Sequence, residues 1–137
     1  MFSKYNIKSV LDVPCKNFDL MNKAGLDGIK YMGGHEDESI VDAHRRTHPS
    51  SDFFNLNIVE SQLPKADLVF CRDLFGHLTN ENTIKALNNI LNSGSKYLLS
   101  TTLTRWDFNE APTDDGGWYC INLLIKPFYL RPIYLIN

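Results

Sequence analysis

The sequence predicts a single α/β domain built on a mostly parallel, doubly wound sheet. Apolar runs of strand length alternate with helical patterns along the chain, and clusters of Gly, Pro and Asn separate them. No internal repeat and no low-complexity linker interrupts this alternation. At 137 residues, with 43% hydrophobic and 22% charged residues, the chain suits one soluble core and is too short for two ordinary domains. Residues 1–137 are therefore expected to form one domain.

Six runs are predicted to be strands, and each is bounded by a turn or breaker signal. They span residues 9–13, 29–33, 53–58, 66–71, 96–103 and 131–136. The run at 66–71 is nearly continuous in apolar character, which is typical of a strand covered on both faces. These strands account for the predicted sheet.

Three helices are predicted between the strands. A short helix over residues 18–24 follows Pro14, which ends the first strand. A second helix begins at the acidic residues 36–38, whose charge suits the positive end of the helix dipole, and ends near the basic residues 45 and 46. The third has Thr79 or Asn80 as its cap, apolar residues at helical spacing, and Gly94 as its stop.

Charge, hydropathy and cysteine spacing argue against several classes of partner and location. A formal net charge of -2 gives no electrostatic footprint for a phosphate backbone, so no nucleic acid is expected. The polar amino terminus is unlike an export signal, and charged residues and prolines interrupt the most apolar stretch, residues 121–136, so no membrane span is expected. Three cysteines without CxxC spacing argue against a disulfide framework or a zinc ribbon. We therefore expect a cytoplasmic protein.

One pair of histidines has a spacing that a metal site could use. His44 and His48 are four residues apart, which places two imidazoles on one helical face. The segment lacks the glutamate of HExxH, no third ligand is evident, and Pro49 follows at once. A solvated helix face is the preferred interpretation, and no metal is expected.

Ligands of an open doubly wound sheet bind outside the carboxyl ends of its strands, where the strand order reverses. The residues that follow each strand are therefore the candidates for chemistry. They lie at 12–18, 33–36, 57, 72–77 and 101–109. The long segment 104–132, rich in Trp, Asp, Gly and Pro, is unusual for a mere connector, and long ordered loops often carry function.

Several of these segments are similar to a known family. The blocks read VLDVPCKNF, YMGGHEDESIVDA, ADLVFCRDLFGHL, GSKYLLSTTL and GGWYCINLLIKPF. Together they resemble bacterial and viral class I S-adenosylmethionine-dependent methyltransferases, which show LDxPCGD, YxGxD, ADLVxCRDxxxHL, GSxYLLxTT and GxWxxxNLxxxPF. The fourth-strand block and the late loop block are distinctive, whereas LDV alone is weak. The resemblance implies a Rossmann-like sheet that lacks the usual amino-terminal helix and last strand.

The resemblance implies a cofactor site for S-adenosylmethionine. Asp12 would fix the first loop and the methionine end of the cofactor, and Pro14 and Cys15 would shape the turn beneath it. His35 stands at the ribose position and Asn57 at the adenine position, where the family uses carboxylates. Neutral His and Asn each still accept one hydrogen bond.

The same site departs from the family pattern at the first loop. Lys16 replaces a glycine, where backbone and ligand approach closely, and Asn17 replaces an acid. Two alternatives follow. In one, Lys16 reaches the cofactor carboxylate and Glu36 or Asp37 takes over the ribose; in the other, the fold has kept its shape and lost its cofactor.

The fourth-strand block supplies the catalytic candidates Arg72, Asp73 and His77. His77 suits a general base because the pKa of imidazole lies near neutrality. The alternative is that Arg72 and Asp73 form a structural ion pair and that His77 caps or packs at the start of the next helix.

The late block supplies Asn109, Trp118 and Asn122 as substrate-binding candidates. Together with Trp106, Phe108 and Tyr119, Trp118 would form an aromatic wall over a ligand, or would only cover a sheet edge. Two functions remain: a methyltransferase for a small molecule or glycan, with in-line transfer driven mainly by positioning, or a non-catalytic binding or interaction module on the same fold. An open sheet edge also favours a homodimer.

Overall fold

The computed structural model describes residues 2–23 and 25–136 of the chain. Five strands form one sheet: β1 (Ser9–Asp12), β2 (Lys30–His35), β3 (Asp52–Asn55), β4 (Leu68–Cys71) and β5 (Tyr97–Ser100). Every pairing is parallel, and the order is β3-β2-β1-β4-β5. The predicted doubly wound sheet is confirmed, and its order reverses between β1 and β4.

The helices lie on both faces of this sheet. They are α1 (Phe18–Lys23), α2 (Glu38–Thr47) and α3 (Asn80–Asn92), with a 3-10 turn at Phe75–His77. The predicted end of the first helix, Ala24, lies outside the described residues. Asp37 caps α2 by accepting from the Ser39 N–H at 2.9 Å, and Thr79 caps α3 by accepting from the Asn82 N–H at 3.1 Å. Gly94 follows α3 with a φ of +72°, as a helix stop requires.

Two apolar clusters make the core, one on each face of the sheet. The cluster on the α1 and α2 face includes Val10, Tyr31 and Phe53. The cluster on the opposite face, which α3 covers, includes Leu11, Val69 and Phe75. Side chains alternate along β1 between the two clusters, because successive strand residues point to opposite faces.

The second strand runs to His35, two residues beyond its predicted end. It can do so because Gly33 and Gly34 carry no Cβ. A Cβ on Gly33 would lie 2.7 Å from Phe53 Cδ1, and one on Gly34 would lie 2.7 Å from Val13 Cγ2. The two glycines therefore let the end of β2 lie against its neighbours.

The third strand ends at Asn55, three residues before its predicted end. The Asn57 side-chain oxygen accepts from the Val59 N–H at 2.8 Å, and the Asn57 N–H donates to Ser61 Oγ at 2.9 Å. An asparagine that bonds its own backbone two residues on makes a turn, and this turn ends the strand.

The predicted sixth strand is wrong. Residues 131–136 form no strand, and all six are exposed. Their apolar pattern suits a strand, but an extended segment becomes one only by pairing, and Pro132 has no N–H to offer a ladder. The preceding late loop, residues 101–130, packs Ile121 and Leu123 into the core cluster beside α3.

Cys15 and Cys71 are both buried, as expected for small apolar side chains, and they lie in the two different clusters. Burial raises the pKa of the Cys15 thiol to about 12, so this thiol stays protonated and inert. Among the described residues, none of the helices is long and apolar enough to cross a membrane.

Candidate functional site

Asp12 is the buried carboxylate at the carboxyl end of β1. Its Oδ2 accepts a hydrogen bond from the Tyr31 hydroxyl at 2.8 Å. Burial raises its pKa to about 6, although the Tyr31 hydrogen bond and the charge of Arg72 both act to lower it. Sequence reasoning missed Tyr31. The alternation of side chains on the strand that pairs with β1 puts Tyr31 on the same face as Asp12, and this was the available signal.

Backbone hydrogen bonds hold the loop after β1 in place, and its Lys16 and Asn17 side chains make no hydrogen bond within the described residues. The Cys15 N–H donates to the Gly34 carbonyl at 2.9 Å, and the Lys16 N–H donates to the Pro14 carbonyl at 2.9 Å. Lys16 and Asn17 are exposed, while Pro14 is half-buried. The ammonium group of Lys16 is therefore available to a ligand at the end of β1.

His44 supports this loop and His48 packs on α1, so the predicted solvated face is wrong. His44 Nε2 donates to the Cys15 carbonyl at 2.9 Å, and its ring stacks on Phe53 with centroids 5.0 Å apart. The His48 ring lies edge-on to Phe18 at 4.4 Å. Both rings are half-buried because α2 packs its histidine face against α1 and the sheet, a contact that local spacing does not reveal.

His35, at the end of β2, has one ring nitrogen bonded and one without a partner. Nδ1 accepts from the Asp37 N–H at 2.9 Å, so the neutral ring carries its proton on Nε2. Nε2 is buried and makes no hydrogen bond within the described residues. Burial is the main cause that lowers the pKa of His35, followed by the charge of Lys16. His35 thus offers a donor and no free acceptor.

Glu36 and Asn57 meet beside His35. Asn57 Nδ2 donates to Glu36 Oε2 at 3.1 Å, and Asn55 Nδ2 donates to the Glu36 carbonyl at 2.9 Å. The Asn57 oxygen is already bonded within its own turn. The exposed carboxylate of Glu36 is consequently a hydrogen-bond acceptor that the ends of β2 and β3 present to solvent.

Arg72 and Asp73 follow β4 and are both exposed. Arg72 Nε lies 3.7 Å from Asp73 Oδ2, a surface ion pair that contributes little to stability. Asp73 has a φ of +53°, and its N–H donates to Thr101 Oγ1 at 2.9 Å. An aspartate tolerates this left-handed conformation, which turns the chain toward the 3-10 turn.

His77 lies at the end of that turn, in contact with the late loop. Its Nδ1 bonds the Gly117 carbonyl at 2.6 Å, and its ring lies edge-on to Trp118 with centroids 5.0 Å apart. Trp118 is 58% exposed. Of the predicted substrate residues, Trp118 is thus the one beside a predicted catalytic residue.

Asn109 and Asn122 are bonded to each other and to the backbone of the late loop. Asn109 Nδ2 donates to the carbonyls of Asn122 and Lys126, and its oxygen accepts from the Asn122 N–H at 2.7 Å. Asn122 is 3% exposed, and its amide bonds the Trp106 carbonyl and the Leu124 N–H. Their predicted role in substrate binding stays a prediction, and their hydrogen bonds give them a structural role.

Two clefts open elsewhere on the surface. One, of about 510 Å³, lies between the start of α3 and residues 111–115 of the late loop. The other, of about 470 Å³, lies between residues 54–56 and residues 61–65. Neither is lined by any of the predicted cofactor residues.

The solved structures that this chain resembles include several methyltransferases. They include the O-methyltransferase of a trans-AT PKS multienzyme from Brevibacillus brevis, in complex with S-adenosyl-L-homocysteine (TM-score 0.61, 16% identity). They also include human N-acetylserotonin methyltransferase in complex with SAM (TM-score 0.65, 12% identity) and the sugar N-methyltransferase KedS8 from Streptoalloteichus (TM-score 0.59, 12% identity). The chain has the Rossmann-like α/β fold of these S-adenosylmethionine-dependent methyltransferases.

The match covers much of this chain and less than half of each of those proteins. It covers 90%, 88% and 76% of this chain, in the order given, and 44%, 40% and 45% of the other three. No protein-family profile and no curated protein sequence matches the chain. At these identities the likeness establishes the fold.

Proposed function

We propose that this chain binds S-adenosylmethionine at the carboxyl ends of β1, β2 and β3 and methylates a small molecule or glycan. The observation that carries the proposal is the pairing of Glu36 with Asn57 beside His35. A carboxylate held at a strand end accepts hydrogen bonds from hydroxyl groups, as a ribose requires. His35 Nε2, a buried donor without a partner, suits an oxygen of the same ligand.

The residues at the end of β1 fit the rest of this cofactor. The exposed Lys16 ammonium suits a carboxylate, and the buried Asp12 lies under the loop that would carry the methionine end. Glu36 takes the acceptor role that His35 cannot fill, since His35 Nδ1 is bonded to the Asp37 N–H. The fit therefore uses the residues that depart from the family pattern.

When bound, this cofactor supplies an electrophilic methyl group on a sulfonium sulfur. His77 Nε2 takes the proton from the acceptor group, because Nδ1 already donates to the Gly117 carbonyl. Asp73 orients the acceptor from the turn after β4. The protein contributes mainly by holding the two reactants in line.

Calorimetric titration with S-adenosylmethionine and S-adenosylhomocysteine tests the proposal. We expect micromolar binding by the unmodified chain and at least about tenfold weaker binding by Glu36→Gln, since a hydrogen bond to a charged group contributes about 1.5–3 kcal/mol. The matched control is Glu38→Gln, which removes a carboxylate two residues along the chain from Glu36. Glu38 is bonded to Arg45, so this variant is expected to bind normally.

The second candidate function is a non-catalytic module that has lost this cofactor. Lys16 at the glycine position and the bonded acceptors of His35 and Asn57 favour it. If the unmodified chain gives no heat of binding and Lys16→Gly restores it, the chain has the fold but has lost cofactor binding. No heat from either protein would refute the cofactor site altogether.

A further inference from the structure

The middle of the late loop folds onto the turn that carries His77. Residues 115–119, here named the clamp, bond this turn at several backbone groups. The Gly116 N–H donates to the His77 carbonyl at 2.7 Å, and the Tyr119 N–H donates to the Gly76 carbonyl at 2.8 Å. Asp115 also accepts from the Thr79 N–H, and from Asn82 Nδ2 at 2.6 Å. The clamp and the turn therefore form one rigid unit.

The clamp decides which nitrogen of His77 carries the proton. The Gly117 carbonyl can only accept, so His77 Nδ1 must donate to it. A neutral imidazole has one N–H, and Nε2 is therefore left with a free lone pair. Nε2 makes no hydrogen bond within the described residues, so this lone pair is available to a ligand.

The same clamp places the exposed Trp118 ring beside the His77 ring, with the two centroids 5.0 Å apart. The Trp118 ring covers Gly76, where a Cβ would lie 3.1 Å from Trp118 Cζ3 and 3.0 Å from the Tyr119 carbonyl oxygen. One side of the indole is thus held against the turn, while 58% of the residue stays exposed. A rigid indole face binds flat rings and the apolar faces of sugars with little loss of side-chain freedom.

We propose that the clamp is a positioning device that fixes His77 as the Nδ1–H tautomer and sets Trp118 beside Nε2, so that a ring bearing a hydroxyl group binds there. The ring stacks on Trp118, and the hydroxyl donates to His77 Nε2. A hydroxyl suits this place because its O–H donates to the lone pair of the neutral His77 Nε2. The hydroxyl-bearing ring would be the methyl acceptor of the proposed methyltransferase. Only the methyl transfer to this ring rests on the proposed function; the binding of the ring does not.

Nitrogen-15 NMR of the imidazoles tests the tautomer without any ligand. We expect His77 to carry its proton on Nδ1 and His35 to carry its proton on Nε2, so the same spectrum contains an internal contrast. Gly76→Ala is the informative variant, because its new methyl group forces Trp118 and Tyr119 away by a few tenths of an ångström. We expect it to fold and to give a mixture of His77 tautomers. A proton on Nε2 of His77 in the unmodified chain overturns the proposal.

The indole N–H signals of the two tryptophans, Trp106 and Trp118, test the ring site. Phenol and methyl glucopyranoside are the hydroxyl-bearing probes, and anisole is phenol with its hydroxyl blocked. We expect one of the two hydroxyl probes to shift Trp118 and His77 Nε2 with saturation, and which one does so separates an aromatic acceptor from a sugar. Anisole should bind about fivefold more weakly than phenol if the acceptor is aromatic, since the lost neutral hydrogen bond contributes about 1 kcal/mol.

Two variants complete the test. Trp118→Ala should abolish the shift of His77, and Trp106→Phe, the matched control, should retain it. Equal shifts of both indoles, or no saturable shift with either hydroxyl probe, would refute the ring site. None of these measurements contains S-adenosylmethionine, so a failure of the cofactor site leaves their outcome unchanged.

Discussion

At the scale of single residues, burial of the Asp12 carboxyl group makes the free energy of unfolding depend on pH. Its folded pKa of about 6 lies above the ordinary value of 3.8, so the fold favours the neutral carboxyl group. The stability that this group contributes is fully present below pH 3.8 and is lost as the pH rises through 6. Since one pH unit corresponds to about 1.4 kcal/mol, the ionised carboxylate costs at most about 3 kcal/mol at pH 7.

Asp12→Asn should therefore stabilise the chain at pH 7, by up to about 3 kcal/mol, and leave its stability at pH 4 nearly unchanged. Urea denaturation at the two pH values measures this difference. Tyr31→Phe is the opposite control, since loss of the hydroxyl donor should raise the pKa of Asp12 further and destabilise the chain at pH 7. Parallel pH profiles for Asp12→Asn and the unmodified chain would contradict the assignment.

His35 makes the stability of the fold depend on pH in the opposite sense to Asp12. Its folded pKa is lowered from 6.5, mainly by burial, so its contribution to stability is present above pH 6.5 and is lost as the pH falls through the lowered pKa. His35→Asn keeps an oxygen that can accept from the Asp37 N–H and removes the titration. We expect the melting temperature of the unmodified chain to drop relative to that of His35→Asn between pH 7 and pH 5, since only the unmodified chain carries this titration. An unchanged difference between the two proteins over this range would contradict this role of His35.

At the scale of elements, the late loop depends on side chains that bond its backbone. Asn122→Ala removes the acceptor of the Leu124 N–H and the donor to the Trp106 carbonyl at a buried position. We expect a loss of about 1–3 kcal/mol in the free energy of unfolding. Asn88→Ala, at an exposed position of α3, is the matched control and should be neutral or slightly stabilising. Unchanged stability in Asn122→Ala would contradict this structural role.

Elements set by local pattern could be predicted from the sequence, and elements set by distant partners could not. The apolar run that ends at Cys71 and the capped helix α3 carry their own signals, and both are observed. The tail at 131–136 has the pattern of a strand and pairs with no strand in the described part of the chain. At the site, the place of His35 and Asn57 followed from strand ends. The hydrogen-bond partner of each side chain could not be predicted in this way. The Asp37 N–H donates to His35 Nδ1, for example, and this bond depends on the local course of the backbone, which residue spacing does not reveal.

At the scale of the whole molecule, apolar surface is concentrated at one end of the chain. Nine large hydrophobic residues after residue 102 are exposed: Leu103, Trp106, Phe108, Trp118, Tyr129, Ile133, Tyr134, Leu135 and Ile136. The sheet ends at β5, and a strand at a sheet edge presents unpaired backbone groups. Lys4 Nζ lies 5.5 Å from the Tyr134 ring, and Tyr5 packs on Tyr97 of β5, so the tail lies on the β5 side of the sheet.

This arrangement predicts self-association through the β5 edge and the tail, because a two-fold axis would let each copy cover the apolar surface of the other. Light scattering of the unmodified chain should give twice the 15.7 kDa of one copy. Ile133 and Ile136 are 78% and 67% exposed, so Ile133→Lys with Ile136→Lys should yield a folded monomer. Ile84→Lys, at an exposed apolar position on α3, is the control and should remain a dimer. A monomeric unmodified chain at the same concentration would rule out this interface, since burial of that surface is its driving force.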